Sequence, residues 1–503
     1  MAGERRAEVV LDVAPHAREQ PEPLVADADL PFRILVLADL RGSTTDRSPL
    51  RERRPVRIDR DDFDDVLERL QPRIELPLDG SEAARVTIRI RDLDDFHPDG
   101  LYASLPFFAT LRELRARLEN PRTAAQAARE LMGEGAEAQP RRPAPGSVLD
   151  SILGETDGGG GAVSGPGISI SRDPFQQFIQ SIVAPHRAAD AIPGQKDLLE
   201  RVDRVATPLM RATLHNPGFR AVEAAWRAIH LMVRRIETDP SLSIWLLDVT
   251  REELDADLIG GSPVEESALF RMIVDRGVGT PGAAPWSLLI GDLTFGPDAA
   301  DVRLLSAIAT VARAAGAPFL AAAHPRLAGA PAFDGEVDPA AWQTVAAPEW
   351  AAFRRTREAR FAGLILPRFL VRLPWGANAE PCDAFEFEEV DVPPRHESLL
   401  WANPAFACAI LLAESFSAAG WRMKSAFDPE LAGLPLHIFH APGEATAQPC
   451  AETLLTERAA GRLLELGLMP LASIRDRDTV RLVRLQSVAD PPAPLSGRWQ
   501  AGP

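Results

Sequence analysis

The sequence predicts an α/β protein, an α+β N-terminal domain followed by a larger mixed α/β domain. Three observations carry that expectation. From about residue 195 onward, apolar runs of strand length alternate with long periodic stretches, the order that builds a sheet covered by helices. Within the first hundred residues, RVTIRIRDL (85–93) alternates apolar Val86, Ile88 and Ile90 with Arg or Thr, the pattern of a half-buried strand. Between the two parts, GGGGAVSGPG (158–167) has the composition of a flexible linker.

Residues 1–30 are polar, with several Pro and acidic residues, and read as a flexible arm. PFRILVLADL (31–40) reads as a buried strand centred on Ile34, Leu35, Val36 and Leu37. Asp61 or Asp62 is placed to cap a helix through FDDVLERL, with Phe63, Val66, Leu67 and Leu70 on one face. PFFATLRELRARLENP (106–121) reads as an amphipathic helix ended near Asn120–Pro121. Residues 31–132 thus form a compact α+β unit of about 100 residues. Residues 133–172 are the linker, interrupted by one short apolar helix, SVLDSILGE (147–155). Residues 173–488 form the second domain, and the Pro-rich residues 489–503 read as a disordered tail.

In the second domain, helical patterns cover 173–184 and 195–237, with Leu198, Val202, Leu209, Phe219, Trp226 and Val233 on the apolar face. LSIWLLDV (242–249) reads as a strand, SALFRMIVDRGV (267–278) as a helix and PWSLLIGDLTF (285–295) as a second buried strand. The periodic DVRLLSAIATVARAAG (301–316) precedes the strand-like PFLAAAH (318–324). RFAGLILPRFLVRLPWG, AFACAILLAESFSAAG, LPLHIF, TLLTERAAGRLLELGLMPL and VRLVRLQSV continue the core.

At 503 residues and 46% hydrophobic, the chain buries large cores. Its net charge of -17 argues against nucleic acid, which requires a basic face. RERRPVR (51–57) is the best candidate basic patch and is read as a solvated turn. Only Lys196 and Lys424 are Lys; the other cations are Arg, which makes bidentate ion pairs suited to interfaces. Cys382, Cys408 and Cys450 form neither a metal spacing nor a disulfide framework. With no signal peptide and no apolar run of about 20 residues, no direct membrane insertion is expected and the location is read as cytoplasmic.

No motif for catalysis, cofactor or metal survives scrutiny, and none is expected. GETDGGGGAVSG (154–165) lacks the GK[ST] of a phosphate loop, and ADLRGST (38–44) lacks its second Gly and its Lys. Asp292 falls at a strand end, where carboxylates do chemistry in α/β folds. A turn or cap is the simpler role for this acidic stretch, with Asp298 and Asp301 capping the next helix. Asp61, Asp62, Asp64 and Asp65 lack calcium-loop spacing and suit a helix N-terminus. The nine histidines are scattered, and the Trp-rich second half reads as core or interface anchoring.

Taken together, these stretches resemble the two contractile sheath proteins of bacterial type VI secretion, in one chain. PFRILVLADLRG, RRPVRIDRDDFDDVLERLQPRIEL and DDFHPDGLYASLPFFATLRELRARL are similar to the small subunit. LHNPGFRAVEAAWRAIHLMV, the block from SALFRMIVDRGV to PFLAAAHP, RFAGLILPRFLVRLPWG, ESLLWANPAFACAILLAESFSAAGW and LLELGLMPL are similar to the large one. The resemblance implies a non-enzymatic sheath component with a sheath-type second domain. It assembles with itself or other sheath subunits around an inner tube, on a baseplate, and contracts to propel the tube. It further implies recycling by an AAA+ unfoldase that engages an N-terminal helix of the large subunit. SVLDSILGE occupies that place, so Val148, Leu149, Ile152 and Leu153 are the partner-binding candidates. The large-subunit part stops soon after VRLVRLQSV, short of the C-terminal region usual in that family. The alternative expectation is therefore a non-polymerising, truncated paralogue that binds sheath, baseplate or unfoldase as a cap or regulator.

Overall fold

The computed structural model describes residues 30–77, 85–132 and 195–501, apart from 279–281, 336, 344, 346, 442 and 443. The arm, the linker helix 147–155 and the helical pattern at 173–184 lie outside the described residues.

Fifteen strands are described. They are β1 (Phe32–Ala38), β2 (Val56–Ile58), β3 (Arg73–Pro77), β4 (Arg85–Arg89), β5 (Leu242–Asp248), β6 (Leu288–Phe295), β7 (Phe319–Ala323), β8 (Ala362–Leu366), β9 (Phe369–Leu370), β10 (Trp401–Ala402), β11 (Glu430–Leu431), β12 (Ile438–Ala441), β13 (Glu444–Ala447), β14 (Met469–Ser473) and β15 (Val480–Leu482). Nine of them form one sheet in the order β11-β15-β14-β8-β7-β6-β1-β5-β2. From β14 to β5 the neighbours run parallel, while β2, β15 and β11 pair antiparallel at the two ends. Two-stranded pairs β3–β4, β9–β10 and β12–β13 complete the strands.

β1 lies inside this sheet, parallel to β5 on one side and β6 on the other, with Phe32 opposite Leu242 and Ala38 opposite Asp248. Side chains alternate along a strand, so Phe32, Ile34 and Val36 enter one core while Leu35 and Leu37 enter the other. The sequence expectation of a separate α+β unit is corrected here: its first strand belongs to the large sheet, because a strand apolar on both faces has nowhere else to be covered twice.

One face of the sheet is covered by helices α1 (Phe63–Leu70), α2 (Pro98–Ser104), α3 (Ala109–Glu119), α4 (Ala124–Met132), α5 (Gln195–Leu214) and α6 (Pro217–Arg235). The opposite face takes α7 (Arg251–Ile259), α8 (Ala299–Ala315) and α9 (Pro348–Arg354). α10 (Pro404–Ala419) joins the first face and α11 (Glu457–Glu465) the second. The helical pattern over 195–237 is broken at His215–Asn216. The Asn216 side chain accepts from the amides of Gly218 and Phe219, and Pro217 starts a new helix. α7 begins with a capping box between Thr250 and Glu253.

Several expectations change. Asp62 is the N-cap of α1 by position, yet its side chain turns back to accept from the Asp59 amide at 2.7 Å. Asp298 likewise makes no cap bond to α8 and pairs with Arg326, while Asp301 accepts from the Gly296 amide. The helix expected over 267–278 is one short turn that widens into a π-helix at Arg271–Asp275. β3 pairs with β4 and was not anticipated. Part of the expected disordered tail is packed: Ala489, Leu495, Arg498 and Trp499 are buried, and Arg498 donates to the carbonyl of Ala315 at 2.7 Å. Finally, Pro404–Ala426 is long and apolar enough to cross a membrane, contrary to the sequence reading, and 67% of its most apolar stretch is buried within the protein. An all-round apolar helix laid on a sheet face is a core element.

Candidate assembly interface

The residues with the most to do are those that join the first hundred residues to the rest. Their base is the β1 seam. At its N-terminal end the Arg33 guanidinium lies 4.0 Å from the Trp286 ring centroid and 5.0 Å from that of Trp245. Both distances fall within cation–π range. Ser287 Oγ accepts from the Arg33 amide at 3.1 Å and donates to the Pro31 carbonyl at 3.2 Å.

Aromatic side chains cover the seam from above. Phe63 meets Trp226 edge-on at 5.8 Å, Phe96 meets Phe219 at 5.6 Å and Tyr102 meets Phe385 at 4.7 Å. Trp226 is fully buried and its indole N–H donates to the Leu40 carbonyl at 3.0 Å, so the ring is both filler and tether.

At the C-terminal edge of the sheet the contacts are ionic. Arg47 pairs with Asp248 at 2.8 Å and with Asp39. Burial pushes the Asp248 carboxyl upward, against the pull of Arg47. Arg53 grips both oxygens of Glu253 and also donates to the Asp248 carbonyl at 2.8 Å. The stretch 51–57 therefore spends one of its cations on a fork-to-carboxylate bond across the joint. On the helical side, Arg115 of α3 pairs with Asp203 of α5.

A loop over residues 371–391 forms a clasp. Asp99, at the start of α2, accepts from the Cys382 thiol at 2.7 Å and from the amides of Asp383 at 3.0 Å and Ala384 at 2.9 Å. Burial works to raise the Asp99 carboxyl; these three donors outweigh it and hold it below the usual carboxylate range. Burial, with the same pairing, pushes the Cys382 thiol up to about 12, which suits it to donate rather than to attack.

The base of that loop is anchored by a buried charge network. Arg372 donates to Glu223 Oε1 at 2.7 Å, to Glu389 Oε2 at 2.6 Å and to Glu389 Oε1 at 2.9 Å. Arg227 donates to Glu223 Oε1 at 2.7 Å, and the Trp375 amide donates to Glu389 Oε2 at 2.8 Å. Two carboxylates face two guanidiniums, so the charges balance and their burial is tolerated. Burial would raise Glu389, but Arg372 and its other donors hold it down to about 2.

Asp292, the one strand-end carboxylate considered for chemistry, is half-buried beside Asn403. Burial pushes it up to about 6. Asn403 caps α10 through its side-chain oxygen and donates to the Leu293 carbonyl at 3.0 Å, so it positions a helix against β6. Among the described residues, no group of three or more His, Cys, Asp or Glu side chains is placed to hold a metal. The arrangement as a whole binds polypeptide to polypeptide. Sequence reading found the buried strand β1 and missed the seam that it forms with β5 and β6, the clasp and the ion pairs, whose partners lie far apart along the chain. Val148, Leu149, Ile152 and Leu153 lie outside the described residues.

Comparison with known proteins divides the chain at this joint. Residues 196–489 match the family described as "EvpB/VC_A0108, tail sheath N-terminal domain". The chain belongs to the tail-sheath family. Residues 14–134 match a second family, "Type VI secretion system, VipA, VC_A0107 or Hcp2". Small and large sheath-subunit domains are thus fused in one tail-sheath polypeptide, and the seam, clasp and ion pairs are the contacts between them. A relative named "Type VI secretion system sheath protein TssC1", from Pseudomonas aeruginosa, is 31% identical over 312 residues, covering 60% of this chain and 63% of the relative. The chain therefore spans less than two thirds of that protein's length.

Proposed function

We propose that this protein is a structural component of a type VI secretion contractile sheath, assembling around an inner tube in the cytoplasm and contracting to propel it. One observation carries the reading: strands from both sheath-family parts share a single sheet, with β1 between β5 and β6. A structural unit of fixed one-to-one composition follows from covalent fusion, which also raises the local concentration of each part for the other. Its contacts are main-chain pairing, packing and ion pairs, the chemistry of a scaffold. The partners in this reading are other copies or sheath subunits, the inner tube, the baseplate and an AAA+ unfoldase.

Negative-stain microscopy and mass photometry of the purified chain and of cell lysate test the reading. Rings, tubes or incorporation into them support it; monodisperse monomers in both settings overturn it. The unfoldase would grip the apolar face of 147–155. Leu149→Asp or Ile152→Asp then abolishes unfoldase binding, read by fluorescence anisotropy, and leaves the thermal unfolding of the chain unchanged.

A further inference from the structure

Between α9 and β8 the chain turns through RRTREAR (354–360), four Arg and one Glu in seven residues. Trp350, Phe353 and Ala359 are buried in the second core and fix this turn. Two of its charges are spent: Arg354 donates to the Val488 carbonyl at 2.8 Å, and Glu358 pairs with Arg313 at 3.1 Å. Arg355, Arg357 and Arg360 are exposed, and among the described residues none of them enters an ion pair. The exposed carboxylates beside them are Glu349, on the first turn of α9, and Asp490, whose amide donates to the Arg354 carbonyl. On a chain of net charge -17, three unspent guanidiniums on one turn are a directed surface.

The clasp loop has the opposite character. Residues 380–391 hold Glu380, Asp383, Glu386, Glu388, Glu389 and Asp391 and no basic residue. Phe385 and Phe387 are buried in the first core, which turns Glu386 outward between them. Asp391 pairs with Arg211 at 2.8 Å, and Glu388 accepts from the Ala377 amide at 3.0 Å. The carboxylates of Glu380, Asp383 and Glu386 are exposed and enter no ion pair among the described residues. Their backbone is held, because the Asp383 amide donates to Asp99 at 3.0 Å and the Glu386 amide to Asp203 at 3.2 Å. A charged ridge on a fixed frame loses little freedom when it binds. Val392 follows it and, at 62% exposure, is the barest large apolar side chain among the described residues.

The two surfaces lie on opposite sides of the nine-stranded sheet. α9 packs in the second core, while the clasp loop rests on the first through Phe385 and Phe387. One copy cannot bring them together, and a two-fold pair of copies cannot satisfy both at once. A contact between unlike surfaces repeats in one direction, from copy to copy.

We propose that Arg355, Arg357 and Arg360 of one copy dock on the ridge of Glu380, Asp383 and Glu386 of the next, with Val392 laid against Ala351 and Ala352. Ala351 and Ala352 are exposed on α9, one turn before Arg355, and leave a flat surface there. The inference rests on the self-assembly in the sheath reading and names the surfaces that carry it. A lone exposed ion pair contributes little; three of them around one apolar contact act together and give the contact its direction.

Sedimentation velocity and negative-stain microscopy of the full chain test it. Association is expected at ~50 mM salt, and the concentration needed for it is expected to rise about tenfold or more at ~500 mM. Arg355→Glu, Arg357→Glu and Arg360→Glu together make both surfaces acidic. Glu380→Arg, Asp383→Arg and Glu386→Arg together make both basic. Each triple variant alone is expected to stay monomeric where the unmodified chain associates, with an unchanged circular dichroism spectrum. An equimolar mixture of the two is expected to associate again, since every contact then joins opposite charges. Rings or tubes that form equally well from either variant alone overturn the proposal and leave the sheath reading standing. Short chains of copies that either variant abolishes, without rings or tubes at any concentration, support the proposal and count against the sheath reading. A mixture of folded variants that stays monomeric overturns the proposal, and an unmodified chain that never associates overturns both.

Discussion

The seam and the clasp join the same two parts of the chain by opposite means. At the seam, β1 is buried on both faces and bonded along both edges. At the clasp, one carboxylate, Asp99, holds three donors from a loop, and its side chain keeps 31% of its exposure. Main-chain pairing is spread over every residue of β1, and burial over all but Arg33. The clasp concentrates its energy in one group, and the Arg372 network behind it in four charged side chains. Distributed contacts make the joint; concentrated ones set the position of a loop upon it.

This contrast is easiest to break at its strong end. Val36→Asp places an unpaired charge in the centre of the sheet, at a cost of more than ~4 kcal/mol. Loss of soluble folded protein, followed by expression yield and circular dichroism, is the expected outcome. Next in size, Arg372→Met leaves Glu389 without its guanidinium and Glu223 with Arg227 alone. Breaking a buried pair in this way costs about 3–5 kcal/mol, which urea unfolding reads directly. An unchanged midpoint would show the network to be dispensable. Asp99→Asn is smaller, at ~1–3 kcal/mol for the unmatched donors. It sharpens the comparison because hydrogen exchange should quicken at 382–386 and stay unchanged at 32–38.

The smallest effect runs the other way. Asp292 has its carboxyl pushed up to about 6 from an ordinary 3.8, so the folded chain holds a proton there that the unfolded chain has already lost. Its contribution to stability is fullest below about pH 4 and falls as pH rises to about 6. Asp292→Asn is therefore expected to gain ~1–2 kcal/mol at pH 7 and nothing at pH 3.5, measured by thermal unfolding at both. Destabilisation at pH 7 would mean that the charged form is the one Asn403 selects.

The seam was legible in the sequence because burial on both faces writes a continuous apolar run, and Ile34 to Leu37 is such a run. What the run could not say was which strands would flank it. The clasp was illegible for a related reason. Asp99 and Cys382 lie 283 positions apart, and neither belongs to a pattern with a period. Helix ends fell between these cases: Asp62 and Asp298 mark the right positions, but each carboxylate found a partner other than its helix. Trp226 was read as an anchor from its type, and only the fold supplies the Leu40 carbonyl that it holds. The fusion of two sheath parts came from the order of several long blocks, which no single residue carries.

The placement of β1 also governs how the chain is made. It is synthesised early, with two bare edges, and β5 and β6 follow roughly two hundred residues or more behind it. At ~5–20 residues per second, β1 waits about 10–50 seconds for its neighbours. A flat apolar strand in that condition invites pairing with another nascent chain. Arg33 and Asp39 bracket the apolar run, and a charge at each end is the usual guard against such pairing. The two side chains that meet Trp286 and Arg47 in the folded chain are thus the same charges that flank this run before its neighbours exist.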